Sequence, residues 1–153
     1  KKQGLAAHGL VAGDTHPKKR AYLEELRQLV GDLNLAEDIT FLGHRGDVRE
    51  IMTLCTAVCA LSQQPESFGR TVLEALALGK PVVGYDCGGV GELLGQFFPA
   101  GKAQLGSMQQ IIDATTSIIR APAQVSPVGA PFTLSAMCEG TISLYHELLG
   151  ERH

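Results

Sequence analysis

Apolar and polar positions follow two spacings along the chain, one typical of buried strands and one typical of amphipathic helices. Short runs of apolar and β-branched residues bounded by turn residues predict strands at residues 5–12, 39–43, 57–61 and 81–85. Apolar residues at helical spacing predict helices at residues 19–30, 47–54, 69–78, 91–94, 108–119 and 133–149. Strands and helices therefore alternate, which favours an α/β fold with a mostly parallel sheet.

This alternation predicts a Rossmann-like, doubly wound α/β fold that forms a single domain over residues 1–153. A content of 44% hydrophobic residues suffices for one sizeable core, and a low aromatic content of 5% is typical of helices packed on a buried sheet. Ligands in such folds bind at the carboxyl ends of the strands, beside helix N-termini. Functional residues are therefore expected directly after strands.

The C-terminal segment carries an apolar stripe behind a linker at residues 121–131 that contains Pro and Gly. The stripe is formed by Leu134, Met137, Thr141, Leu144, Tyr145 and Leu148. Because a helix with one apolar stripe normally buries it, we expect this helix to dock on the body of the domain.

Composition excludes several classes of protein. The formal net charge is −3 and the basic residues form no stripe, so nucleic acid is not expected as a partner. The four cysteines form no Cys-x-x-Cys pair, which predicts reduced, buried thiols in a cytoplasmic protein. The apolar runs are shorter than the roughly 20 residues that span a bilayer.

Two glutamates flank a predicted helix start after the third strand. Glu66 and Glu74 are separated by seven residues, and a helix that begins near Gly69 places Glu66 in the loop and Glu74 inside the helix. Both carboxylates can then face one ligand across the helix N-terminus, and a carboxylate accepts hydrogen bonds from two vicinal hydroxyls of a sugar or a ribose. The alternative is that Glu66 is a loop residue and Glu74 an ordinary helix carboxylate.

The sequence around these glutamates resembles the donor-binding domain of GT-B glycosyltransferases, and most closely glycosyltransferase family 4 with its Glu-x7-Glu motif. The resemblance is carried by residues 65–94, PESFGRTVLEALALGKPVVGYDCGGVGELL. It extends upstream through residues 39–50, ITFLGHRGDVRE, and residues 10–26, LVAGDTHPKKRAYLEEL. Together these segments hold 59 of the 153 residues, within a span from residue 10 to residue 94.

The resemblance implies roles for individual residues. Glu66 is the catalytic residue, which contacts a hydroxyl of the donor sugar, and Glu74 binds the ribose hydroxyls. Four further positions bind through backbone amides: Phe68 and Gly69 hold the sugar, and Thr71 and Val72 hold the phosphates.

By the same resemblance, His44 and Arg45 contact the nucleotide base, largely through main-chain groups. The alternative for Arg45 is a surface guanidinium paired with Asp47 or Glu50, and for His44 a loop residue without a ligand. Residues 88–92 resemble the family's glycine loop before a short helix, for which the alternative is a turn chosen only for its geometry.

The sequence also departs from the family pattern. The upstream strand and helix that carry an Arg and a Lys for the donor pyrophosphate are missing before Lys1, so we expect a truncated domain and a preceding acceptor domain. No Asp-x-Asp motif is present, and neither a metal ion nor a cofactor is expected.

The function implied is that of a retaining glycosyltransferase that uses a UDP- or GDP-linked sugar in polysaccharide or glycolipid biosynthesis. The acceptor is a sugar, a lipid or a small molecule, and the isolated fragment is expected to be inactive. The expected location is the cytoplasm, and the prediction allows peripheral association of the full-length protein with the inner face of the membrane. The alternatives are a nucleotide-sugar epimerase or phosphorylase of the same fold, or a non-catalytic nucleotide- or sugar-binding module.

Overall fold

The computed structural model describes residues 4–14, 20–122, 125 and 132–150. These residues belong to two compact units, residues 1–54 and residues 55–153. Most of the predicted linker at residues 121–131 lies outside the described residues.

The first unit is a β-α-β-α segment. Its elements are β1 (Gly9–Ala12), α1 (Arg20–Asp32), β2 (Ile39–Gly43) and α2 (Val48–Leu54). The two strands are parallel, with Gly9 opposite Ile39 and a shift of register between Val11 and Ala12. The predicted strand at residues 39–43 is confirmed residue for residue, and the loop after it carries His44 and Arg45.

The second unit continues the alternation. Its elements are β3 (Val58–Ala60), α3 (Arg70–Ala77), β4 (Val82–Tyr85), α4 (Gly88–Phe97), β5 (Lys102–Ala103), α5 (Met108–Arg120) and α6 (Leu134–Leu148). β4 lies between β3 and β5, and both pairings are parallel. All four residues of β4 are buried, as expected for a central strand covered on both faces. The parallel α/β architecture is therefore confirmed.

The core of the second unit forms where helices pack on this sheet. α3 contributes Val72, Ala75 and Leu76, and α4 contributes Val90, Leu93 and Leu94. On α5, Ile111 and Ile118 are buried at a spacing of two turns, and the Ser107 hydroxyl caps the helix by accepting a hydrogen bond from the Gln110 amide at 3.4 Å. The helical spacing predicted an apolar face on α5 that also includes Met108 and Ile112, and these two residues are exposed. The amphipathic helix predicted at residues 19–30 forms as α1, but it buries none of its residues.

The region after β4 differs from the prediction. α4 begins at Gly88 and has ten residues, whereas the sequence predicted a glycine turn and a helix at residues 91–94. Glycine has a low helix propensity, so the pattern indicated a turn, but tertiary packing requires these glycines inside the helix. The short turn Pro99–Gly101 and the two-residue strand β5 were not predicted, because two residues show no periodicity.

The predicted docking of α6 is wrong, since the helix buries none of its residues. Leu134 and Leu148 are each 73% exposed, and Met137 is 62% exposed. The prediction that all the cysteines are buried is also wrong. Cys55 and Cys87 are half-buried, whereas Cys59 and Cys138 are exposed, and all four are free thiols.

Candidate functional site

The loop between β3 and α3 ends in a glycine with a left-handed backbone. Gly69 is the N-cap of α3 with φ 72°, a conformation that disfavours any side chain, and no side chain caps this helix. The first hydrogen bond of the helix runs from the Leu73 amide to the Gly69 carbonyl at 3.1 Å. The amides of Arg70, Thr71 and Val72 precede that bond, and such N-terminal amides form a binding site for anions.

This loop rests directly on the start of α4. The Gly89 amide donates a 2.8 Å hydrogen bond to the Glu66 carbonyl. A Cβ on Gly89 would lie 2.5 Å from the Phe68 carbonyl carbon, and a Cβ on Gly88 would lie 2.6 Å from the Glu66 carbonyl oxygen. Only glycine fits at either position, so the backbone of the loop packs directly against Gly88 and Gly89. Sequence reasoning took them for a turn and missed this contact.

The parallel sheet explains why these two segments meet. The loop that carries Glu66 follows β3, and Gly88 follows β4 after two residues. β3 and β4 are adjacent and parallel, so their carboxyl ends lie at the same edge of the sheet. This is the edge at which doubly wound folds bind their ligands.

The two predicted carboxylates occupy the positions that the sequence predicted for them. Glu66 is exposed in the loop, and Glu74 is half-buried on α3. The Glu74 Oε1 atom lies 3.5 Å from Nη2 of Arg70, whose side chain is 84% exposed. Arg70 was missed in the sequence, although its spacing of four residues from Glu74 on a helix is the pattern of such pairs. The roles of Glu66 and Glu74 toward a ligand stay predictions.

The aromatic side chain of Phe68 contacts a residue from the C-terminal segment. Its ring meets that of Phe132 edge to face, with centroids 5.5 Å apart, and Phe132 also meets Phe97 at 5.9 Å. A small cavity of about 110 Å³ opens between the Phe68 and Phe132 rings and α4, and Glu92 contributes to its lining. Nothing in the sequence pattern joins Phe132 to this loop.

His44 and Arg45 belong to the first unit, where both are exposed. Arg45 forms a bidentate ion pair with Asp47. Its Nε donates to Oδ1 at 2.8 Å, and its Nη2 donates to Oδ2 at 2.5 Å. Hydrogen bonding to the guanidinium lowers the pKa of Asp47 below its ordinary value, and the same bond raises the pKa of Arg45. The guanidinium thus has the surface partner foreseen as an alternative, and the predicted base contact through main-chain groups stays a prediction.

Two further predictions concern metal binding and membrane-spanning helices. Within the described ranges, no group of three or more His, Cys, Asp or Glu side chains is arranged to hold a metal ion. Among the helices that the structure describes, none combines the length and apolar character needed to cross a bilayer. That donor binding needs no metal ion stays a prediction.

Two curated proteins resemble parts of the chain. N-acetyl-alpha-D-glucosaminyl L-malate synthase of Bacillus anthracis is 29% identical over 93 residues, which are 61% of this chain and 24% of that protein. Lipopolysaccharide core biosynthesis mannosyltransferase LpsB of Rhizobium meliloti (strain 1021) is 35% identical over 85 residues, which are 56% of this chain and 24% of that protein. The chain thus spans about a quarter of the length of these relatives.

The chain is also similar to a solved structure, and it matches the profile of a protein family. Anabaena Alr3699/HepE, solved in complex with UDP and glucose, superposes with a TM-score of 0.67 at 33% identity over 72% of this chain and 30% of that chain. This similarity supports the Rossmann-like organisation predicted from the sequence. The profile of the glycosyl transferases group 1 matches residues 1–124, which is most of the chain. The chain therefore belongs to the glycosyl transferases group 1 family.

Proposed function

We propose that this chain is the donor-binding part of a retaining glycosyltransferase of the GT-B type, and that it binds a nucleotide-sugar at the N-terminus of α3. The observation that carries the proposal is the contact between the Glu66 loop and the start of α4. That contact brings Glu66, Phe68 and the uncapped N-terminus of α3 close to one another. The similar Anabaena protein was solved in complex with UDP, which supports a UDP-linked donor; a GDP-linked donor is the alternative.

The diphosphate of the donor fits the start of α3. A helix N-terminus carries a partial positive charge, and the Thr71 and Val72 amides have no partner from the preceding turn. These amides can donate to phosphate oxygens without a cation. When the bond between the sugar and the diphosphate breaks, negative charge grows on the leaving group, and donors already in place stabilise that charge. The loop and helix therefore act by position and electrostatics.

The sugar lies on the loop side in this proposal. Glu66 accepts hydrogen bonds from sugar hydroxyls, while the Phe68 and Gly69 amides donate to sugar oxygens. Glu66 positions the sugar and forms no covalent bond with it. Both curated relatives carry names of enzymes that form glycosides, which supports transfer over epimerisation. The acceptor is a sugar, a lipid or a small molecule, and it is held outside this chain.

Because Glu66 is assigned to the sugar and the α3 amides to the diphosphate, Glu66→Gln is expected to weaken binding of the nucleotide-sugar more than binding of the free nucleotide. The substitution keeps the shape of the side chain and removes its charge, so sugar hydroxyls lose a charge-assisted acceptor. We expect the Kd for UDP-glucose, or for the GDP-linked sugar if that is the donor, to rise about tenfold. The Kd for the free nucleoside diphosphate is expected to change less than about twofold. Isothermal titration calorimetry measures both constants.

Two results would count against this division. A Glu66→Gln chain that binds the sugar conjugate as tightly as the wild type removes Glu66 from the sugar site. Equal weakening of the conjugate and of the free nucleotide would place Glu66 at the phosphates or the ribose instead. Glu147→Gln on α6 is the matched control, because it removes one exposed helical carboxylate outside the proposed site.

A further inference from the structure

The residue before α6 connects two parts of the second unit. Phe132 directly precedes Thr133, whose hydroxyl caps α6 by accepting a hydrogen bond from the Ala136 amide at 3.1 Å. The Phe132 ring makes edge-to-face contacts with Phe68, in the Glu66 loop, and with Phe97, at the end of α4. Phe132 therefore bridges the loop and the helix on which that loop rests.

The side chain of Phe68 is only partly covered by the rest of the protein. It is 43% exposed, whereas the backbone of the same residue lies against Gly89. The small cavity lined by Ser67, Phe68, Leu93 and Phe132 shows that packing around the ring is incomplete. Because Phe68 is partly exposed and borders a cavity, we infer that the contact with Phe132 accounts for a large part of the restraint on its ring.

We propose that Phe132 is a positioning residue for the donor sugar, which acts by holding Phe68 and thereby the Phe68 and Gly69 amides. This inference rests on the proposed function, since it assigns those two amides to the sugar. Phe132 touches no donor atom in this proposal. Its effect is transmitted through one ring contact to the loop, and the phosphate-binding amides of α3 are held separately by the helix.

Substitution of Phe132 tests the proposal through a difference between two ligands. In Phe132→Ala we expect the Kd for UDP-glucose, or for the GDP-linked sugar that the wild-type chain binds, to rise about three- to tenfold. The Kd for the free nucleoside diphosphate is expected to stay within about twofold. Phe132→Tyr keeps the ring edge and should bind like the wild type. Leu134→Ala, two residues further along and 73% exposed in the wild type, is the control that should change neither constant.

A second measurement needs no ligand. In the NMR spectrum of the unliganded chain, the Phe68 and Gly69 amide resonances are expected to broaden in Phe132→Ala, beyond the shift that loss of the ring current alone produces. In Phe132→Tyr they are expected to keep their wild-type positions and linewidths. Unchanged Phe68 and Gly69 linewidths in Phe132→Ala would overturn the proposal, whatever the ligand data. This readout also applies to Phe132→Leu, should the alanine variant fold poorly.

The outcomes separate this proposal from the proposed function. If the wild type binds no nucleotide-sugar, the proposed function fails, and the NMR comparison alone decides whether Phe132 holds the loop. If the wild type binds and Phe132→Ala binds equally well, only the positioning role is overturned. Equal weakening of the sugar conjugate and the free nucleotide, together with a lower Tm, would show general destabilisation and would also overturn it.

Discussion

Glu74→Gln is expected to weaken binding of the free nucleoside diphosphate and of its sugar conjugate alike, by about ten- to hundredfold. In the proposed site, Glu74 accepts hydrogen bonds from both ribose hydroxyls, and these bonds are present whether or not a sugar is attached. The amide of glutamine offers only one acceptor oxygen and no charge. Calorimetric titration with UDP and with GDP measures the loss.

Folding is not expected to account for that loss. Glu74 pairs with Arg70 at 3.5 Å, and the Arg70 side chain is 84% exposed. Such surface pairs contribute less than about 1 kcal/mol, so the Tm of Glu74→Gln should remain close to that of the wild type. Glu147→Gln on α6 should bind both ligands normally. An unchanged Kd for the free nucleotide in Glu74→Gln would remove Glu74 from the ribose site.

Gly101→Ala is expected to destabilise the second unit by about 3 kcal/mol or more, through overpacking against the central strand. Gly101 is buried between β4 and α4, and a Cβ there would collide with the carbonyl oxygen of Val82. It would also lie 2.8 Å from Cδ1 of Phe98. The obstacle is the backbone of a buried strand, so a side-chain rotation cannot relieve it.

Thermal unfolding followed by circular dichroism checks this effect. A loss of about 3 kcal/mol lowers the Tm of a unit of this size by more than about 10 °C. Gly95→Ala is the control, because Gly95 is exposed within α4 and its Cβ would meet only the Lys102 ammonium at an ordinary 3.6 Å. That variant should gain up to about 1 kcal/mol from helix propensity. If the two variants had the same Tm, the tight packing at Gly101 would be refuted.

The sequence predicts those parts of the fold that depend on local periodicity. The apolar run at residues 81–85 indicated a strand, and β4 (Val82–Tyr85) is that strand. Helical spacing placed Ile111 and Ile118 on the apolar face of α5, and both are buried, although Met108 and Ile112 of the same predicted face are exposed. In these two elements, the type of secondary structure follows from the order of apolar and polar residues.

Other parts depend on contacts between distant residues. Gly88 and Gly89 look like a turn because glycine disfavours helices, yet they begin α4. The backbones of Glu66 and Phe68 leave no room there for a side chain. The apolar stripe of α6 indicated burial, yet its leucines are exposed, because periodicity shows a face without showing what covers it. The ring of Phe132 contacts the ring of Phe68, which is distant in the sequence, and no pattern in the sequence indicates that contact.

The candidate site divides in the same way. The Glu66 and Glu74 positions could be predicted because the loop and α3 are consecutive in the sequence. The pairing of Arg70 with Glu74 was missed because it depends on the geometry of a helix surface. The contact of the loop with Gly88 and Gly89 was missed because it depends on which strands are neighbours in the sheet. The side-chain partner of Arg45 was correctly considered as an alternative, because Asp47 is only two residues away.

The central claim is that the N-terminus of α3 and the loop before it bind a nucleotide-sugar. The most direct measurement is an NMR titration of the wild-type chain with UDP-glucose, GDP-mannose and ADP-glucose, with assigned backbone amides. The account predicts that a UDP- or GDP-linked sugar produces saturable shifts concentrated at Phe68, Gly69, Thr71 and Val72. Saturable shifts confined to other residues, or no saturation with any of the three at millimolar concentration, would contradict it.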